Sequence, residues 1–267
     1  MVTLPMYRHE PETKQLLIVK DHLLLDLKEG WGIIDTGAPQ AFGGGHYGQP
    51  QPINLKGRLT REEFAKTDRY LTLCESTWLV DPPDVHTSKF LDIARAEVDP
   101  KLNFFLGNSL LRDFIITIDA SRQEISFRPL ATPVSGDKTR LTLSNGVTMV
   151  NMSVATPGGE HRTKAIFDTG APLSYGPESI VRSLTPAGDA VDFSPIFGKI
   201  ETPTFEGSFK VGNTTFAGRF GILPKEAAKT VERIGSGWII GADVWKATPL
   251  AIDIRGEELT FQSRNRC

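Results

Sequence analysis

Apolar residues in this chain mostly alternate with polar ones or gather in short runs, the patterns of half-buried and buried strands. Strands are visible in QLLIVKDHLLLDLKEGWGIIDTG (Gln15 to Gly37), and FIITIDASRQEISF (Phe114 to Phe127), with turn residues between its arms, predicts a hairpin. GSFKVGNTTFAGRF (Gly207 to Phe220) predicts another, turning at Gly212 and Asn213. Helical periodicity is confined to short windows, SKFLDIARAEV (Ser88 to Val98) and KEAAKTVERIG (Lys225 to Gly235), with Gly235 a stop signal. YGPESIVRSL (Tyr175 to Leu184) predicts a helix start, with Pro177 at the first helical position and Glu178 beside the positive end of the dipole. FGGGHYGQPQP (Phe42 to Pro52) cannot be helical, and a capping box follows at Thr60 and Glu63. The pattern is that of a mainly β chain with a few short helices.

The chain also repeats itself. FFLGNSLLRDFIITIDASRQEISF (Phe104 to Phe127) aligns with WIIGADVWKATPLAIDIRGEELTF (Trp238 to Phe261) at an offset of 134 throughout: Gly107 falls on Gly241, Asp119 on Asp253 and Phe127 on Phe261. Upstream of these, IIDTGAPQAFGG and IFDTGAPLSYGP place Asp35 and Asp168 at nearly the same offset, 133. Two copies of one unit are therefore expected, residues 1–132 and 133–267, divided in the Pro-, Gly- and Ser-bearing stretch Leu130 to Lys138.

A bare Asp-Thr-Gly is expected by chance in roughly one such chain in twenty. A polar turn closing a strand accounts for one copy but not for a second with the same Ala-Pro continuation. A two-fold repeat that carries one carboxylate at the same point of each half can bring both to its axis. Two carboxylates within hydrogen-bonding distance do not both ionise cheaply, so the pair shares one proton. In that state the charged group takes a proton from a water as it attacks a carbonyl, and the protonated group donates to the carbonyl oxygen.

These motifs resemble the pepsin-like and retropepsin-like aspartic peptidases, in which two Asp-Thr-Gly loops, each backed by a hydrophobic-hydrophobic-Gly segment, join in one active site. Here the segments are Phe105-Leu106-Gly107 and Ile239-Ile240-Gly241. The resemblance spans both halves in motif order and implies a bilobal pepsin-like β fold with two pseudo-two-fold-related lobes. It implies that Asp35 and Asp168 are the catalytic pair, and that Thr36 and Thr169 send hydroxyls across to the opposite loop. It also implies that Gly37 and Gly170 let backbone approach the carboxylates. The implied activity is endopeptidase hydrolysis with apolar residues around the cut, a peptide or protein substrate, no cofactor or metal, and a monomer, since one chain supplies both loops. A catalytically silent binding protein and a narrow-specificity processing peptidase are the alternatives.

Three departures stand out. Ala38 and Ala171 follow the motifs where pepsin-like enzymes usually carry a hydroxyl, which predicts activity extending nearer neutral pH. The flap that closes over substrate is not legible; GGGHYGQ with Tyr47 and DRYLTLCESTWLV with Tyr70 and Trp78 are candidates, the second favoured by its strand character. Asp35 lies too near the start for a prosegment within this sequence.

Composition narrows the partners. A formal net charge of −2 with balanced Lys, Arg, Asp and Glu offers no basic stripe for nucleic acid and no polybasic patch for a membrane. No window approaches a membrane span and the first residues lack a secretory signal, so a cytoplasmic protein is expected, unless a leader has been trimmed. Cys74 and Cys267 form no disulfide framework, and the five histidines show no metal-binding spacing. The letters of a dinucleotide fingerprint in GGGHYG are followed by QPQP, which forbids the helix that motif needs. Sequons at Asn151 and Asn213 bear only on a secreted protein.

Overall fold

The computed structural model describes residues 12–27, 30–43, 51–54, 77–80, 85–128, 130, 132–194 and 198–262. The first half opens with a hairpin of β1 (Glu12–Val19) and β2 (His22–Leu27), whose turn residues Lys20 and Asp21 have φ of 47° and 64°. That mirror-image turn matches the twist of the two strands. β3 (Gly30–Ile34) continues antiparallel to β2 and ends at Asp35. β4 (Phe42–Gly43) follows, then a separate two-stranded sheet of β5 (Gln51–Asn54) and β6 (Thr77–Val80). Helix α1 (Val85–Glu97) leads into β7 (Leu102–Leu106), which lies parallel to β3 and antiparallel to β4. A single turn, α2 (Asn108–Leu111), precedes the hairpin of β8 (Ile115–Asp119) and β9 (Glu124–Arg128).

The second half repeats this plan. β10 (Asp137–Ser144) and β11 (Val147–Thr156) form the opening hairpin, and β12 (Gly159–Phe167) runs to Asp168. β13 (Ser174–Gly176) is followed by α3 (Glu178–Val181), β14 (Thr185–Ser194), β15 (Gly198–Val211), β16 (Thr214–Ile222) and α4 (Lys225–Ile234). β17 (Ile239–Ile240) is parallel to β12 and antiparallel to β13, as β7 is to β3 and β4. The chain ends in α5 (Ala242–Ala247) and the hairpin β18 (Leu250–Asp253) and β19 (Glu258–Phe261).

One sheet joins the halves, in the order β1, β9, β8, β18, β19, β10. At its centre β8 and β18 pair antiparallel, Ile118 with Leu250, Thr117 with Ala251 and Ile116 with Ile252. Because Ile116 and Leu250, Thr117 and Ala251, and Ile118 and Ile252 are also the residues matched by the sequence repeat, the pairing maps onto itself under a half-turn. The pseudo-two-fold axis thus passes between Thr117 and Ala251. Ile116, Ile118, Leu250 and Ile252 are wholly buried and belong to a hydrophobic cluster that runs through both halves.

The mainly β, two-lobed architecture with short helices is the one the pattern predicts. Some local readings change. Pro177 is extended, with ψ of 133°, and caps the single turn α3 instead of entering it. The helix read over Ser88 to Val98 begins earlier, at Val85. Gly235 closes α4 in a left-handed conformation, φ 118°, the role its position suggests. The long hairpin β14–β15 was not legible, because β14 (TPAGDAVDFS) is rich in weak strand formers and is held by its partner. Tyr47, Tyr70, Cys74, Cys267 and the Thr60–Glu63 box lie outside the described residues, and Trp78 falls on β6.

Candidate functional site

β3 and β12 each deliver an Asp-Thr-Gly loop to the axis, and each loop is held from behind in the same way. Asp35 N–H donates to the Leu106 carbonyl at 3.1 Å and Asp168 N–H to that of Ile240 at 2.9 Å. Asn108 N–H donates to the Ala38 carbonyl, and Ala242 N–H to that of Ala171, both at 2.9 Å. The glycines of the two backing segments make this contact possible: a Cβ on Gly107 would lie 2.2 Å from the Gln40 carbonyl oxygen, and one on Gly241 2.4 Å from that of Ala171.

The loops are then tied to each other. Thr36 N–H donates to Thr169 Oγ1 at 3.1 Å and Thr169 N–H to Thr36 Oγ1 at 3.0 Å. Each hydroxyl passes its own proton onward, Thr36 Oγ1 to the Phe167 carbonyl at 2.6 Å and Thr169 Oγ1 to the Ile34 carbonyl at 2.8 Å. Both threonines are fully buried, so their hydroxyls and N–H groups rely on this exchange for partners away from water.

The exchange of threonines leaves each glycine against the opposite carboxylate. A Cβ on Gly37 would fall 2.2 Å from Asp168 Oδ2, and one on Gly170 would fall 2.8 Å from Asp35 Cγ. Gly170 N–H donates to Asp168 Oδ1 at 2.8 Å. Asp35 is 8% exposed, and its Oδ1 is buried without a hydrogen-bond partner.

Burial raises the pKa of both carboxyls of the pair. Burial raises the pKa of Asp35, and a hydrogen bond with Asp168 works against that rise. Burial lifts Asp168 well above the carboxylate range, and the charge of Asp35 pushes it further. Two carboxyls this close do not both ionise cheaply, so the pair retains one proton that belongs to both groups.

No known family profile and no curated protein sequence matches the chain. Its structure is similar to a crystal structure of an aspartic proteinase from Irpex lacteus, with a TM-score of 0.52 and 12% sequence identity over 96% of this chain and 98% of that one. The fold is aspartic-proteinase-like. At that identity the likeness is one of architecture, and the chemistry rests on this chain's own residues.

The geometry brings Asp35, Thr36, Gly37, Asp168, Thr169 and Gly170 together at the axis. It adds residues that motif reading missed. Thr148 Oγ1 lies 2.6 Å from the Phe167 carbonyl and 3.1 Å from that of Thr36, and Asn108 Nδ2 donates to the latter at 2.8 Å. Tyr175 Oη and Asp192 Oδ2 share a hydrogen bond of 2.5 Å; burial holds the Asp192 carboxyl up at about 6, against the lowering effect of that bond. His22 Nδ1 lies 2.9 Å from the Gly170 carbonyl. The one signal for His22 in the sequence is a histidine opening an otherwise apolar strand, HLLLDL, beside a turn. Among the described residues no group of three or more His, Cys, Asp and Glu is placed to hold a metal, and no helix is long and apolar enough to cross a membrane.

Proposed function

We propose that the protein is an aspartic endopeptidase whose catalytic pair is Asp35 and Asp168. The observation that carries this reading is the mutual approach of the two loops, which sets each Asp-Thr-Gly glycine against the opposite carboxylate. In the singly protonated pair we assign the charged role to Asp35, which takes a proton from water while the water oxygen bonds to the scissile carbonyl carbon. Asp168 gives its proton to the carbonyl oxygen. The resulting gem-diol collapses as a proton passes to the amide nitrogen and the C–N bond breaks. The unpartnered Asp35 Oδ1 supports the assignment, because a buried carboxylate oxygen favours a hydrogen-bonding molecule beside it. Thr36 and Thr169 keep the loops in register, and Gly37 and Gly170 supply the close backbone.

The substrate is an extended peptide lying between residues 1–132 and 133–267, with apolar side chains flanking the cut, and a single chain suffices for turnover. Cleavage-site profiling on a mixed peptide library tests the reading. Defined endoproteolytic products from the wild-type protein, absent in Asp35→Asn and Asp168→Asn and suppressed by a statine-type transition-state mimic, are expected. Undiminished cleavage by either variant would sink it.

A further inference from the structure

His22 sits where the first hairpin reaches into the second half. It is 3% exposed, and its Nδ1 is 2.9 Å from the Gly170 carbonyl oxygen. A carbonyl only accepts, so Nδ1 must carry the proton. Burial keeps the ring neutral, its pKa pushed down to about 4. Phe193 from β14 closes over it edge-on, with ring centroids 6.2 Å apart. Charged and titratable groups around the ring come from three elements. Lys20 and Asp21 lie on its own turn and act in opposite directions. Lys246 of α5 pairs with Asp21 at 2.5 Å, and Asp192 adjoins Phe193 and is bonded by Tyr175.

The acceptor makes this contact consequential. Gly170 donates its N–H to Asp168 Oδ1 and sets its α-carbon against the Asp35 carboxylate. One imidazole bond therefore anchors a residue that touches both acids.

The repeat supplies an internal comparison. Val19 pairs with His22 across the first turn, and Ser144 pairs with Val147 across the matching turn of the second half. Val147 stands at the place of His22 and has no side-chain donor. In the first loop the carbonyl of Thr36, next to the matching Gly37, accepts from Asn108 Nδ2 and from the Thr148 backbone N–H, neither of which titrates. The two halves thus support their loops with different chemistry.

We propose that His22 is a positioning residue for the acid pair, its Nδ1–H fixing the Gly170 peptide and through it the sharing of the proton between Asp35 and Asp168. The consequence for turnover rests on the peptidase reading; the consequence for the ionisation of the pair does not.

The test compares the wild-type protein with His22→Asn, whose Nδ2 reaches the position of Nδ1, and His22→Leu, which fills similar space without a donor. Carbon NMR of the Asp35 and Asp168 carboxyls reads their titration, and peptide kinetics read kcat and KM separately. His22→Leu should displace the titration of the pair and lower kcat by about tenfold with little change in KM, the scale of one hydrogen bond. His22→Asn should restore both to near wild-type values. Wild-type titration and kcat in folded His22→Leu would overturn the proposal, as would His22→Asn matching the leucine variant. Nitrogen NMR of the wild-type ring needs no variant, and an Nε2–H tautomer would overturn it as well. If the wild-type protein cleaves no peptide, the peptidase reading fails, while the carboxyl titration still decides the role of His22.

Discussion

Asp168 is held well above the carboxylate range, and the shift has two readable consequences. Its folded pKa is raised by burial and by the charge of Asp35, so its contribution to stability is present at low pH and is lost as pH rises through that raised value. Asp168→Asn should therefore unfold at a higher temperature than the wild-type protein at pH 8, and the difference should shrink at pH 4. Activity needs the same proton, so the alkaline limb of the pH–rate profile should lie above the ordinary carboxylate range, in the direction expected from Ala38 and Ala171. Turnover itself should fall by at least about 10²-fold in either Asp→Asn variant, measured by single-peptide kinetics. The threonines are not equivalent despite their exchange of hydrogen bonds. In Thr36→Ala the Phe167 carbonyl still has Thr148 Oγ1, whereas Thr169→Ala removes the donor to the Ile34 carbonyl. Denaturant unfolding should show Thr169→Ala as the more damaging change, with Thr36→Ala costing about 1–2 kcal/mol.

Among the elements, the β14–β15 hairpin is the one whose importance exceeds its sequence signal. Its Phe193 leaves the second half to pack against a first-half cluster that includes Leu24, Ile33, Phe42 and Phe105, and it covers His22. Phe193→Ala should cost about 2 kcal/mol, less than a fully buried phenylalanine, and should speed hydrogen exchange in β14 while β8 and β18 stay protected. Two helices and the closing hairpins were easier to read because each is punctuated locally, as by Gly235 after α4 and by the turn residues between β8 and β9. β14 carries no such punctuation. Its residues are extended because β15 is beside them, in pairs that reach as far apart as Thr185 and Glu206.

Two opposing titrations operate on the scale of the whole molecule. His22 has a folded pKa near 4 against an ordinary 6.5, so the stability it contributes is full above pH 6.5 and falls as pH drops toward 4. Asp192, held up at about 6 from 3.8, contributes stability that is full below 3.8 and is lost as pH rises toward 6. Each is worth about 3 kcal/mol at most, and the signs cancel over most of that window. The wild-type protein should be nearly flat between pH 4 and 6 with respect to these two groups. Asp192→Asn should gain stability steeply with pH there, and His22→Asn should lose it; thermal unfolding across the range checks both. The joint sheet makes a second claim at this scale. Strands β1, β9 and β8 come from one half and β18, β19 and β10 from the other, meeting at wholly buried isoleucines and a leucine. Residues 1–132 and 133–267 expressed apart should not fold as stable monomers, because each exposes an apolar sheet edge. A cooperative thermal transition from either piece alone would contradict this.

The sequence by itself determined that the chain is a doubled β unit, that each unit ends a strand in Asp-Thr-Gly, and that a hydrophobic-hydrophobic-Gly segment follows in each. Those features are local or periodic: alternation sets the strands, turn residues set the hairpins, and a constant offset exposes the repeat. Only the tertiary structure decided that each carboxylate meets the glycine of the opposite loop at one axis. It alone showed that Thr36 and Thr169 trade hydrogen bonds, and that His22, covered by Phe193, reaches the Gly170 carbonyl while Val147 stands at its place in the other half. The physical reason is separation along the chain. His22 and Gly170 are 148 residues apart, and Thr36 and Thr169 are 133 apart, so their contact is set by how two lobes pack about an axis and by no pattern written around either residue.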